Sequence, residues 1–301
     1  VIGVVKNDTT HFNTKHSTTD PMPEKRDFGW TLKPTSSTHF DVQTRDNGQI
    51  CIVLNHSLLR DVTAEMLHWW FANFIDLKVK LVDIDRYTDQ SIPAYLLWHP
   101  SDHLSFDLKK NILNKHPKPE VGVAINLREA FDYENKGWGY SVDHALKISY
   151  CRADGWAITK QLPLIGNALA LRVHFKDVIN QEIHIGAHYH CEMVIGVNGD
   201  NSIAKMINKK ITSDLSLDFF DAWHLHSTEE AGAFENFLPA LYKQRKESNS
   251  FVYQKSMNKA PTSLQFGFSR SLFQQRVQGY IDTDDVYAYQ ASDKASFLHN
   301  Q

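Results

Sequence analysis

The sequence predicts an α+β fold, an antiparallel sheet followed by one long helix with a cavity between them. Three observations carry this. From residue 121 to 197 the chain is a run of apolar, strand-like segments parted by short polar turns. The stretch 221–242, DAWHLHSTEEAGAFENFLPALY, then changes to helical spacing through Phe234, Phe237, Leu238 and Leu241. On that helix His226 and Glu230 lie four residues apart, so their side chains leave one face a single turn from each other.

Composition bounds the rest. The 301 residues are 42% hydrophobic and 12% aromatic, enough to fill a large core and line a pocket. A net charge of −3 gives no reason to expect nucleic acid or an anionic membrane as partner. Cys51, Cys151 and Cys191 are sparse and unevenly spaced, which suits reduced strand residues and a cytoplasmic setting. No stretch approaches the roughly 18 apolar residues of a membrane span.

Taken in order, residues 1–36 are polar and irregular and read as an arm that wraps something. THFDVQT (38–44) and ICIVLNH (50–56) alternate around Asn47-Gly48, a strong hairpin signal. DVTAEMLHWWFANFI predicts a helix over 64–76, capped by Thr63 or Asp61 and with Glu65 in its first turn. KVKLVDIDR (78–86) reads as a strand. PAYLLWHPSDHLSFDL (93–108) reads as an apolar strand, then a turn where Pro100 biases His99 to an extended form. On such a strand Tyr95 shares a side with Leu97 and His99. VGVAINLREAF (121–131) is a strand with a polar end. ALKISYCRADGWAITKQL (145–162) is a hairpin around Ala153-Asp154-Gly155, and ALALRVHFKDV (168–178) and EIHIGAHYHCEMVIGV (182–197) are further strands. The expected division is a region 1–90 with arm, hairpin and helix, a catalytic region 91–246, and a C-terminal extension 247–301.

Four constellations could carry chemistry. His226 and Glu230 share the apolar stripe, since Ala233, Phe234 and Phe237 follow Glu230 at spacings of three, four and seven. A carboxylate facing a core is costly unless paired or bound to a metal, whereas the bland alternative is an acidic turn near a helix start. His99-Pro-Ser-Asp-His103 offers His103 as a ligand with Asp102 or a carbonyl orienting its other nitrogen, or else an ordinary surface turn. Glu129 ends an apolar strand, with Glu134 as its rival and solvation as the plain reading. In EIHIGAHYHCEM the three histidines His184, His188 and His190 are all even-numbered, so one strand face carries them, toward solvent or toward a wet cavity. There is no GxSxG, no glycine-rich phosphate loop and no CxxC.

Three segments together, VTAEMLHWWF (62–71), YLLWHPSDH (95–103) and HSTEEAGAFENFLPALY (226–242), resemble the diacetylphloroglucinol hydrolase and phloretin hydrolase family. The resemblance covers roughly residues 40 to 245. It implies a Bet v 1-like catalytic domain, with a curved antiparallel sheet around a long C-terminal helix and an N-terminal hairpin and helix as extension. It implies a zinc ion held by two histidines and two glutamates, which fall here on His103, Glu129, His226 and Glu230, with Glu134 the rival to Glu129. An N/O set of this kind also accepts Fe²⁺ or Mn²⁺. It implies a pocket tyrosine at Tyr95 and a pocket histidine among His184, His188 and His190, of which His190 fits best.

The implied reaction is hydrolysis of the carbon–carbon bond between an acyl group and a polyhydroxylated ring. A His or Tyr delivers a proton to the ring carbon, with His190, Tyr95 and His188 as the catalytic candidates. The implied partner is a small aromatic or polyketide substrate, and a homodimer through the hairpin or the tail is an expectation. A decarboxylase, retro-aldolase or cyclase on a polyketide, or a non-catalytic Bet v 1-like binding protein, are the alternatives.

Overall fold

The computed structural model describes residues 25–75, 77–81, 91–108, 121–213, 215–244 and 251–253. The start of the arm and nearly all of the expected extension 247–301 lie outside the described residues.

Strands β1 (Thr38–Thr44) and β2 (Ile50–His56) form the hairpin, paired from Thr38 with His56 to Thr44 with Ile50. Gly48 supplies the left-handed turn residue, at φ +81°. Helix α1 (Ala64–Asn73) begins on Thr63, whose hydroxyl accepts from the Met66 amide at 3.1 Å. Next come β3 (Lys78–Leu81), β4 (Ser91–Pro93), the short helix α2 (Tyr95–Trp98), β5 (His103–Leu108) and β6 (Ala124–Ala130). The chain continues through α3 (Tyr133–Lys136), β7 (Ser141–Arg152), β8 (Gly155–Leu162), β9 (Gly166–Asn180) and β10 (Ile183–Ile195). It ends with α4 (Ser202–Thr212), α5 (Leu217–Gln244) and β11 (Phe251–Tyr253).

Eight strands form one antiparallel sheet in the order β1-β2-β10-β9-β8-β7-β6-β5, and β11-β3-β4 form a small second sheet. Helix α5, 28 residues and so about 42 Å long, lies against the large sheet with its buried face inward. The fold is thus α+β and Bet v 1-like in layout: one antiparallel sheet around a long C-terminal helix. The hairpin joins that sheet through β2 and β10, with Ile50 opposite Ile195 and Asn55 opposite His190. Residues before 90 therefore share a sheet with those after it. None of the described helices is long and apolar enough to cross a membrane.

Helix α1 packs its apolar face into the same core. Trp70, Phe71 and Phe74 are wholly buried. Phe71 stacks on Trp156 at 5.0 Å, and Trp70 meets Phe237 of α5 at 5.0 Å. Burying each such ring stabilises the fold by about 1.5–3 kcal/mol. The described part of the arm joins this core through the buried Phe28. Trp30 Nε1 donates to the Leu97 carbonyl at 2.8 Å, and Asn236 of α5 exchanges hydrogen bonds with the Thr31 backbone.

Two local expectations are corrected. Residues 95–98 are a helical turn and not a strand. Tyr95, Leu97 and Trp98 are all buried, and a period-two strand would turn one of Leu97 and Trp98 away from the core. The three strand histidines also do not share one face. A bulge between His184 and Gly186 resets the phase. His184 bonds Asp177 at 3.0 Å, the same carboxylate oxygen that accepts from the Ala64 amide opening α1.

Candidate metal centre

The site is built where α2, β5, β6 and α5 converge. Pro100 and the α2 end turn the chain so that His103 enters β5 fully buried, directly opposite Glu129 of β6. His226 and Glu230 arrive from α5 with the helical spacing that places them on one face. Donor atoms of His103, Glu129, His226 and Glu230 all lie within 4.8 Å of one another. His103 Nε2 stands 3.5 Å from Glu129 Oε1 and 3.4 Å from Glu230 Oε1, and His226 Nε2 stands 3.8 Å from Glu129 Oε2.

The remaining nitrogens are fixed from behind. His103 Nδ1 donates to the Tyr95 carbonyl at 3.0 Å, and its ring stacks on the Tyr95 ring at 4.2 Å. His226 Nδ1 donates to Asp102 Oδ2 at 2.9 Å. Asp102 also accepts from the Asp132 and Tyr133 amides. Three hydrogen bonds thus hold it in place, and it serves as the orienter of His226. His99, Asp102 and His226 also lie close enough to form a second donor group. Asp102 is already spent on hydrogen bonds there, and His99 Nδ1 accepts from the Asp102 amide at 3.1 Å. Arg26 clamps the turn by donating to the carbonyls of His99 and His103 at 3.1 and 2.6 Å.

The electrostatics follow from burial among carboxylates. Burial pushes the His103 pKa down to about 3, with Glu129 offsetting only part of it, so that ring keeps a free lone pair. Burial also opposes charge on His226, but the Asp102 hydrogen bond and the carboxylates Glu230 and Glu129 prevail and raise its pKa to about 9. Burial raises Glu230 to about 7 against the pull of His226 and His99. For Asp102 burial is outweighed by His99, His226 and the Tyr133 amide, which hold it well below the usual carboxylate range. The Tyr95 hydroxyl donates to Glu129 Oε1, and burial followed by the Glu129 charge keeps that phenol protonated far above its ordinary range.

These residues fit a divalent ion. His103 Nε2 is buried without a hydrogen bond. Two carboxylates and two imidazoles converge there, and a dication would offset the buried negative charge. Two nitrogen and two oxygen donors suit Zn²⁺, Fe²⁺ or Mn²⁺.

The structure brings together Tyr95 and the four donors. It places Glu134 elsewhere, exposed and paired with Lys25 at 2.6 Å. His188 and His190 are not at the site, which corrects their reading as pocket residues. On β10 the buried, cavity-lining positions are Tyr189, Cys191 and Met193, so the intervening histidines face away. His190 Nδ1 instead bonds Asn55 Oδ1 at 2.6 Å on neighbouring β2. Beside the two α5 donors, Glu229 lies 3.1 Å from His99 Nε2, and His224 stacks on Phe40 at 4.5 Å. Sequence reasoning missed Tyr189, which lines the cavity. Its odd-numbered place among apolar residues was the available signal.

A cavity adjoins the cluster, with Trp98, Trp156 and Trp223 among its walls.

No family model matches the chain. No curated protein matches it either. Among solved structures it is similar to the di-domain ARO/CYC protein BexL from the BE-7585A biosynthetic pathway, at 11% identity and TM-score 0.35, over 64% of this chain and 50% of that one. The chain thus spans half the length of that protein. It is similar to Ara h 8.0201 at 10% identity and TM-score 0.34, covering 67% of this chain and 97% of the other. It is also similar to SA2116 from Staphylococcus aureus, a protein of unknown function, at 8% identity and TM-score 0.31, covering 65% and 97%.

Proposed function

We propose that the protein is a metal-dependent hydrolase that cleaves the carbon–carbon bond between an acyl group and a polyhydroxylated aromatic or β-dicarbonyl ring. The observation that carries this is the buried convergence of His103, Glu129, His226 and Glu230. The resemblance to diacetylphloroglucinol and phloretin hydrolases in three segments supports the choice of reaction.

A divalent ion held by these four residues would supply Lewis acidity toward a phenolic or ketone oxygen and toward water. The other steps belong to the chain. Asp102 and the Tyr95 carbonyl fix the two imidazoles. Aromatic walls exclude bulk water and seat a flat ring. Tyr95 holds a proton on its hydroxyl beside Glu129, ready for the ring carbon that bears the acyl group. Water adds to the side-chain carbonyl, the bond from carbonyl carbon to ring breaks, the ring carbon keeps the proton, and the acyl group leaves as a carboxylic acid.

Metal analysis of the purified protein and product analysis with an acylphloroglucinol test this reading. Bound Zn²⁺, Fe²⁺ or Mn²⁺ that is lost in His226→Ala, with release of a carboxylic acid and the deacylated ring, supports it. Absence of metal from protein prepared with all three ions would leave a ligand-binding module. A decarboxylase, retro-aldolase or cyclase on a polyketide is the second reaction class, served by the same donor cluster and cavity. Carbon dioxide or an aldehyde among the products would select that class.

A further inference from the structure

His99 sits in the turn that presents His103, 1% exposed, with its own carbonyl held by Arg26. Its Nδ1 accepts from the Asp102 amide at 3.1 Å and from the Ser101 amide at 3.4 Å. A neutral imidazole that accepts on one nitrogen carries its hydrogen on the other. The hydrogen of His99 is therefore on Nε2. That nitrogen has no lone pair to offer a cation, so His99, Asp102 and His226 do not make a second metal site despite their closeness.

Nε2 instead faces two carboxylates, Glu229 Oε2 at 3.1 Å and Asp102 Oδ2 at 3.6 Å. Glu229 is half-buried on α5, one residue before Glu230 and three after His226. Successive helix residues point about 100° apart, so fixing the direction of Glu229 fixes that of Glu230. Two points on α5, less than one turn apart, are thus tied to the segment 99–103: His226 to Asp102, and Glu229 to His99. The His99 ring also stacks on the His226 ring, with centroids 5.0 Å apart and planes 12° from parallel. The same segment delivers His103 to β5.

We propose that His99 and Glu229 are positioning residues for the donor cluster: their pairing sets the rotation of α5 on the 99–103 turn, and so the direction in which Glu230 enters. An N–H held toward carboxylates is a charge-assisted tie, stronger than its neutral counterpart. Without it, Asp102 still holds His226, and Glu230 is the ligand that drifts. This rests on the reading of the four donors as a metal centre. It assigns Glu229 to the geometry of that centre, as the residue that aims its neighbour, and not to the ion itself.

Co²⁺ is the probe, since its visible absorption reports both occupancy and ligand geometry. It is titrated against a chelator into the parent, His99→Asn, Glu229→Ala, Glu229→Gln and the double variant of His99→Asn with Glu229→Ala, compared at equal helicity and thermal midpoint. His99→Asn keeps an acceptor for the turn amides and is too short to reach Glu229. Glu229→Gln keeps an acceptor for Nε2 without the charge. The expected result is Co²⁺ binding about ten-fold weaker in His99→Asn and in Glu229→Ala, no weaker than that in the double variant, and within about three-fold of the parent in Glu229→Gln. The visible band should change alike in the three weakened variants. Losses that multiply in the double variant, or unaltered binding in both single variants, overturn the pairing. Equal weakening by Glu229→Ala and Glu229→Gln overturns it too, and makes Glu229 a distant charge on the ion. A parent that binds no Co²⁺ refutes the metal centre and this inference together. A parent that binds Co²⁺ and shows the pairing, yet releases no acid from an acylphloroglucinol, refutes the hydrolase reading and leaves this one standing.

Discussion

His226 and Asp102 stand 124 residues apart in the chain and 2.9 Å apart in space, joined by a hydrogen bond from Nδ1 to Oδ2. That bond commits one ring nitrogen and aims the other at Glu129, 3.8 Å away. Asp102→Asn keeps the shape of the orienter and removes its charge. The variant should fold and lose about 10- to 100-fold in affinity for Zn²⁺, read by competition with a chelator. Unchanged affinity would show that Asp102 does not set the His226 ring.

Tyr95 gives a different signature. Tyr95→Phe preserves the ring stacked on His103 and deletes the hydroxyl bonded to Glu129. Metal content should stay near one equivalent, while kcat falls by about 100-fold or more. A rise in KM alone would assign the hydroxyl to binding.

His190 should behave as a sheet residue. His190→Gln keeps a hydrogen-bonding group toward Asn55 and leaves the cavity untouched. Stability should change by less than about 0.5 kcal/mol, and metal content and turnover should match the parent. A large loss of kcat with intact metal would return His190 to the mechanism.

His56 predicts acid sensitivity away from the centre. It is buried against Tyr189 in the sheet, and burial first, then the charge of Lys33, depresses its pKa from 6.5 to about 3. The unfolded chain takes up this proton as pH falls through 6.5, and the folded protein refuses it until about 3. Stability therefore declines as pH drops across that window, by up to about 1.4 kcal/mol per pH unit from this group. In His56→Asn, denaturant unfolding of the metal-free protein should show a shallower decline over that window. An unchanged slope would mean that other groups carry the acid sensitivity.

Much of this was legible in the chain. Asn47-Gly48 and Ala153-Asp154-Gly155 mark their hairpins, and alternation marks β9 and most of β10. The i,i+4 pair on an apolar stripe located half of the donor cluster. What failed did so for physical reasons. Alternation says which residues of β10 share a face, and the apolar odd set of Tyr189, Cys191 and Met193 already marked the inward one; family likeness drew His190 inward against that pattern. The bulge at Ile185, one residue long, broke the phase for His184. Asp102 lies beside His103 in sequence and so looked like its orienter. Its partner is set by how α5 docks, which no local pattern contains. Four residues of α2 are too few to show a helical period.

The Arg26 clamp bears on how the protein comes into being. The turn that presents His103 is held by a residue near the chain's beginning, while His226 and Glu230 come from the last long helix. Only a fragment that runs from Arg26 through Glu230 contains all the parts of the cluster. During synthesis the nascent chain exposes single histidines and glutamates, each a weak ligand, until α5 emerges and packs. Under the proposed function, loading with a divalent ion would therefore be a late event in biogenesis, and a truncation before α5 would remove two of the four proposed ligands.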